Sequence, residues 1–180
     1  GLIPWPEPQD DCYFDRTSIG TPRMSIELVK VTLTQLSDYS FNVSFDGTDI
    51  PDLLTDEGAP LGGGKGPNPS RMLLAAIANC LSASLLFAMR KYKNTPGTIR
   101  AEVRGTLGRN ADGRMRVQHV DVDLHLPDAA DSYQQFDRIL QQFENFCVVT
   151  ESVRGGIEVA LQVRDGSGNI RHSSVNNVGA

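Results

Sequence analysis

Cysteine is scarce in this chain. Cys12, Cys80 and Cys147 are its only three, too few and too far apart for a disulfide framework, and none forms the CxxC or CxxxC pair of a zinc knuckle. That leaves free thiols or one functional pair. Positive charge is also short: seventeen Lys and Arg stand against 22 Asp and Glu, a net charge of -5, so no overall basic field exists to neutralise phosphates and nucleic acid is not an expected partner. The sequence has no HExxH helix, GxSxG elbow or Ser-His-Asp motif context, and nothing in it calls for a metal or other cofactor. Residues 1–11 carry Pro4, Pro6 and Pro8 among acidic side chains and lack the basic and apolar regions of a signal peptide, so the cytoplasm is the expected location.

A run of glycines is present, Leu61-Gly62-Gly63-Gly64-Lys65-Gly66, but it is not a phosphate loop. Ala59 stands where the first Walker glycine belongs, and Gly66 follows Lys65 where a magnesium-binding hydroxyl is needed. It reads as a flexible approach to the helix that follows.

The 180 residues are 39% hydrophobic and 22% charged, which fits one ordinary domain with its own core. Residues 1–23, rich in Pro, Asp and Gly without a period, are expected to be an N-terminal arm. Residues 24–165 carry the periodic patterns of a domain, and residues 166–180 read as a mobile tail. Val29, Val31 and Leu33 alternate with polar residues, and the opposite phase of Ile26 and Leu28 predicts a bulge near Leu28. Phe41, Val43 and Phe45 continue the alternation after a Ser37-Asp38 turn, which predicts an antiparallel hairpin.

Asn68 followed by Pro69 is a strong helix start, and the helix is predicted to run to about Lys91. From Met72 to Met89 only Asn79, Cys80, Ser82 and Ser84 interrupt its apolar character, which approaches the length of a membrane span. Asn79 near its middle and flanks without aromatic belts favour a buried central helix instead, with no membrane partner. A helix apolar nearly all round needs more cover than one small sheet provides, so a homodimer is expected.

A second hairpin follows, with Ile99, Ala101 and Val103 on one strand, a turn at Asn110 to Gly113, and a long strand from Arg114 to Leu126. Ser132 and Gln135 are spaced as a capping box for a helix whose stripe is Tyr133, Phe136, Ile139, Leu140 and Phe143. Ile157, Val159, Leu161 and Val163 make the last expected strand. The order of elements is α+β, with antiparallel sheets and two central helices.

Two candidate sites emerge. His119, Asp121, Asp123 and His125 share one face of one strand and could offer metal ligands, but neighbours on one strand are too widely spaced to close a tetrahedral site, and a solvated face is the expectation. Cys80 shares a helix face with Leu73, Ala76, Ile77 and Ser84, and Cys147 continues the spacing of Leu140 and Phe143, so both thiols are expected to turn inward. Buried cysteine often acts only as a small hydrophobe.

The stretch Gly66-Pro67-Asn68-Pro69-Ser70-Arg71-Met72-Leu73-Leu74-Ala75-Ala76-Ile77-Ala78-Asn79-Cys80 resembles the Cys-bearing helix of the OsmC/Ohr family of thiol peroxidases. Phe146-Cys147-Val148-Val149-Thr150-Glu151-Ser152-Val153-Arg154-Gly155-Gly156-Ile157 is similar to that family's second-cysteine segment. The resemblance runs from about Met24 to Val163 and implies an intertwined α+β homodimer with its site at the interface. It further implies a peroxidatic Cys80, a resolving Cys147, an organic hydroperoxide as substrate and an external dithiol as reductant. Phe87, Phe143 and Phe146 are expected to line an apolar pocket. The chain departs from the pattern in two places: Ser70 replaces the family's Glu, and no Arg between Met24 and Phe45 matches the one that Glu positions. Arg23, Arg71 and Arg154 are the candidate substitutes. With the cysteines merely structural, the alternative is a non-enzymatic binder of a small apolar ligand.

Overall fold

In the computed structural model, which describes residues 27–175, the Asn68 side chain accepts the Arg71 backbone N–H at 3.0 Å. That cap, with Pro69 in the first turn, opens helix α1, Pro69–Lys91, on the predicted bounds. Three strands precede it: β1 Val31–Ser37, β2 Ser40–Phe45 and β3 Leu53–Thr55. They form one antiparallel sheet in the order β1-β2-β3. Leu28 lies ahead of β1, and the register shift falls between Gln35 and Ser37, so the bulge belongs at the hairpin end rather than at the strand's start. β3 has no counterpart among the strands expected from sequence; three residues are too few to show an alternation.

The glycine run has a structural task. The buried Asp56 carboxylate accepts N–H groups from Glu57 at 2.8 Å, Gly63 at 3.0 Å and Lys65 at 3.2 Å. The backbone bond from Lys65 leads the interactions that hold its pKa below the ordinary carboxylate value. A Cβ at Gly62 would come within 2.3 Å of Asp56 Oδ1, and one at Gly66 within 2.1 Å of the Leu54 carbonyl oxygen. The loop is therefore wrapped tightly around a carboxylate and is not the flexible approach its composition suggested.

The second sheet, in the order β4-β5-β6-β7, contains β4 Arg100–Arg109, β5 Met115–His125, β6 Glu158–Arg164 and β7 Ile170–Val175. β4 with β5 and β6 with β7 are antiparallel, whereas β5 and β6 run parallel, His119 opposite Glu158. Between β5 and β6 the chain makes a crossover containing α2 Phe136–Gln142, a 3-10 turn Phe143–Phe146 and α3 Val148–Val153. The expected capping box does not form: Gln135 precedes α2 in a left-handed conformation and no side chain caps that end.

Val120, Val122 and Leu124 of β5 and Val159, Leu161 and Val163 of β6 are fully or almost fully buried. They pack in one core with Ile77, Leu81, Leu85 and Met89 of α1 and with Phe136, Ile139, Leu140 and Phe143. α1 is long and apolar enough to cross a membrane by length and composition, but that stripe lies against the sheet, and only 33% of its most apolar window is buried in the single chain. Much of the helix is therefore left without cover, as are Val31 and Leu33 of β1.

The expected mobile tail contains β7. Asp165, its side chain fully buried, accepts N–H groups from Ser167 at 2.9 Å and Asn169 at 3.0 Å and pairs with Arg171 Nε at 2.7 Å. Burial would raise the Asp165 pKa, but these bonds, Arg171 foremost, hold it at about 2. The turn and strand are fixed by polar contacts that local hydrophobic periodicity does not register. The arm, residues 1–23, with Arg23 and Cys12, lies outside the described residues.

Candidate active site

Cys80 sits in the middle of α1, half-buried against the core. Cys147 is completely buried and joins the 3-10 turn Phe143–Phe146 to α3. It does not continue α2, which ends at Gln142; the break turns the chain so that Cys147 faces α1. The two thiols, 67 residues apart in sequence (147 − 80), come near enough for Cys80 to raise the Cys147 pKa, and the Cys147 S–H donates to Thr150 Oγ1 at 2.9 Å. Burial, with the neighbouring Cys80 adding to it, drives the Cys147 pKa up to about 11, although the Thr150 hydroxyl and N–H act in the opposite direction. Cys147 is thus a neutral thiol at physiological pH.

The aromatic surroundings differ from the expected set. Phe143 is fully buried in the core and unable to line an open pocket, whereas Phe87 is 63% and Phe146 66% exposed. Phe87 lies about two helical turns beyond Cys80 on the same side of α1, and Phe146 with the exposed Val148 flanks Cys147.

Of the substitute cations, Arg71 is nine residues from Cys80, which puts it about 13.5 Å away along α1 and half a turn round the axis. The Arg154 guanidinium binds Glu144 and Glu151. Glu144, a residue the sequence reading passed over, is buried within the 3-10 turn that precedes Cys147 and is held by His172, Arg154 and the Ser174 hydroxyl. Burial raises its pKa, yet those three partners bring it to about 2. His172, read as part of an uninformative tail, also sets its ring edge-on to Phe143 at 5.7 Å. The signal for Glu144 was weak: one acidic residue between two phenylalanines, Phe143 and Phe146. Thr150 had a clearer one, lying three residues after Cys147 in a helical stretch.

His119 and Asp123 of the charged row of β5 are engaged in pairs within the strand and across to its neighbours. His119 contacts Asp121 at 3.0 Å and Glu158 at 2.9 Å, and Asp123 contacts Arg104 at 2.7 Å and Arg164 at 3.4 Å. Among the described residues no group of three or more His, Cys, Asp or Glu is placed to hold a metal ion.

The family model described as OsmC-like protein matches residues 62–162, more than half the chain, and the chain belongs to that family. Among solved structures it is similar to an OsmC-like protein of unknown function from Vibrio cholerae, at 17% identity and a TM-score of 0.66 over 77% of this chain and 99% of that one. It is also similar to an organic hydroperoxide resistance protein from Elizabethkingia anophelis, at 19% identity and a TM-score of 0.60, covering 78% and 98%. A third, the organic hydroperoxide resistance protein OhrB of Bacillus subtilis, has 18% identity and a TM-score of 0.58 over 78% and 100%. These likenesses establish the shared α+β fold. No curated protein matches the sequence.

Proposed function

We propose that the chain is a thiol-dependent peroxidase that reduces organic hydroperoxides, with Cys80 as the attacking thiol and Cys147 as the resolving one. The observation that carries this reading is the placement of a half-buried and a fully buried cysteine as neighbours against one core. Solvent access makes Cys80 the one that meets substrate. As thiolate it attacks one oxygen of the hydroperoxide, the O–O bond breaks, and the alkoxide leaves to become an alcohol, giving a Cys80 sulfenic acid. Cys147, protonated because its pKa is near 11, does not compete for peroxide. Its sulfur then displaces hydroxide from Cys80, the thiol proton leaving with that hydroxide as water, and a disulfide forms. An external dithiol restores both thiols. Exposed Phe87 and Phe146 favour an alkyl hydroperoxide over hydrogen peroxide. Dependence on a dithiol fits a reducing compartment, the cytoplasm.

One equivalent of an alkyl hydroperoxide is expected to consume two thiols and give a Cys80–Cys147 peptide link by mass mapping. Over-oxidised Cys80 alone, or a link through Cys12, would contradict the resolving role. Retention of all thiols would favour the second reading, a binder of a small apolar ligand. That reading draws on the absence of the family's Glu at Ser70 and on Arg154 being bound by two carboxylates.

The proposal includes a homodimer, supported by the uncovered apolar surface of α1 and β1. Sedimentation at low micromolar concentration is expected to give twice the mass of one chain, and a stable folded monomer would count against it.

A further inference from the structure

We infer that Thr150 is a catalytic residue of the reductive half-reaction, its hydroxyl stabilising the Cys147 thiolate when the Cys80–Cys147 disulfide is opened. The inference rests on the proposed function and concerns the release of Cys147 from the disulfide. Cys147 is completely buried while Cys80 is half-exposed, so an incoming reductant reaches Cys80 first. Its thiolate forms a bond to Cys80 Sγ, the S–S bond breaks, and Cys147 Sγ departs with the electron pair. The negative charge then develops within the apolar core, where an unpaired ion is strongly disfavoured.

Thr150 is the polar side chain at hand. It is itself completely buried, and its Oγ1 lies 2.9 Å from Cys147 Sγ. In the dithiol state Oγ1 accepts from the thiol. A hydroxyl both donates and accepts, so rotation about its C–O bond turns it into a donor toward a thiolate at the same position. The charge is then quenched by the reductant's second thiol, which gives its proton to Cys147. That second sulfur, now a thiolate, attacks the mixed disulfide and releases Cys80 as thiolate. Two electrons have passed from the dithiol, which leaves as a cyclic disulfide; one proton and one negative charge enter and leave the sequence.

The experiment starts from protein oxidised with diamide, so that the disulfide is made without peroxide. Its reduction by excess dithiothreitol is followed at fixed pH. Thr150→Val is expected to slow thiol release by about ten- to a hundredfold, the range for losing a hydrogen bond to a charged group. Thr150→Ser is expected to restore a rate within about twofold of the parent, since a hydroxyl is the property required. A purely structural role gives the opposite sign, because loosening α3 exposes the disulfide and speeds its reduction. Thr150→Ala, which adds no methyl clash, must agree in sign with Thr150→Val. An unchanged or faster rate in the Val and Ala variants, or a Ser variant as slow as Val, overturns the inference. Failure of peroxide to oxidise Cys80 would sink the peroxidase reading and leave this measurement standing; failure of diamide to form the Cys80–Cys147 bond would sink both.

Discussion

Cys80→Ser is expected to abolish hydroperoxide consumption, with a loss of about three orders of magnitude or more, because the alcohol of serine has neither the acidity nor the polarisability to break an O–O bond. Cys147→Ser is expected to behave differently. Cys80 would still be oxidised once, since its attack does not use Cys147, but the sulfenic acid would have no thiol beside it. A first equivalent of peroxide is then consumed at near-parental rate and turnover stops, with sulfinic acid accumulating at Cys80 under excess peroxide. Competition between substrate and a sulfenic-acid trap, followed by intact-mass measurement, separates the two variants. If Cys147→Ser turned over as fast as the parent, or if Cys80→Ser retained peroxide consumption, the division of labour drawn from their burial would be wrong.

The second large effect concerns stability. Glu144 is buried, and its pKa is lowered from 4.5 to about 2 by His172, Arg154 and Ser174 against the opposing effect of burial. A depressed carboxylate contributes stability that is complete above about pH 4.5 and is lost as pH falls through about 2, because over that window the unfolded chain binds the proton more readily. The lowering corresponds to roughly 3 kcal/mol. Glu144→Gln is expected to flatten the dependence of unfolding free energy on pH across this window. Arg154→Met is expected to cost about 1.5–3 kcal/mol at pH 7, since it removes one of the three partners of a buried charge. Urea unfolding at several pH values reads both. An acid limb as steep in Glu144→Gln as in the parent would show that other carboxylates dominate it.

Where local chemistry sufficed, the sequence could be read directly. Asn68 and Pro69 set the start of α1, and the alternate spacing of His119, Asp121, Asp123 and His125 left the residues between them for the inner face of β5. The inward turn of Cys80 followed from helical spacing. The structure of the remainder depends on partners distant in sequence. β7, with Arg171, His172, Ser173 and Ser174, has almost no apolar alternation, and what fixes it is Asp165 and Glu144, the latter 28 residues before His172. Gln135 sits in a left-handed conformation that the capping-box spacing does not betray. Cys147 was given the right direction for the wrong reason. Its spacing from Leu140 and Phe143 implied one continuous helix, whereas a 3-10 turn and a fresh helix deliver it to α1. Thr150 was hinted at by its place three residues after Cys147.

The parallel pairing of β5 with β6 sets the order in which the molecule can be assembled. Facing residues in that pair stand 39 positions apart (158 − 119), whereas β4 and β5 are joined by a short local turn. The hairpin can close early, but the parallel pair must wait for the whole crossover to be synthesised and its ends brought together, an entropic cost incurred before any contact compensates it. Cys147 lies on that crossover, so its approach to Cys80 is itself a long-range closure, of 67 residues (147 − 80), and a bond between the two would tie the crossover to α1 rather than staple a local turn.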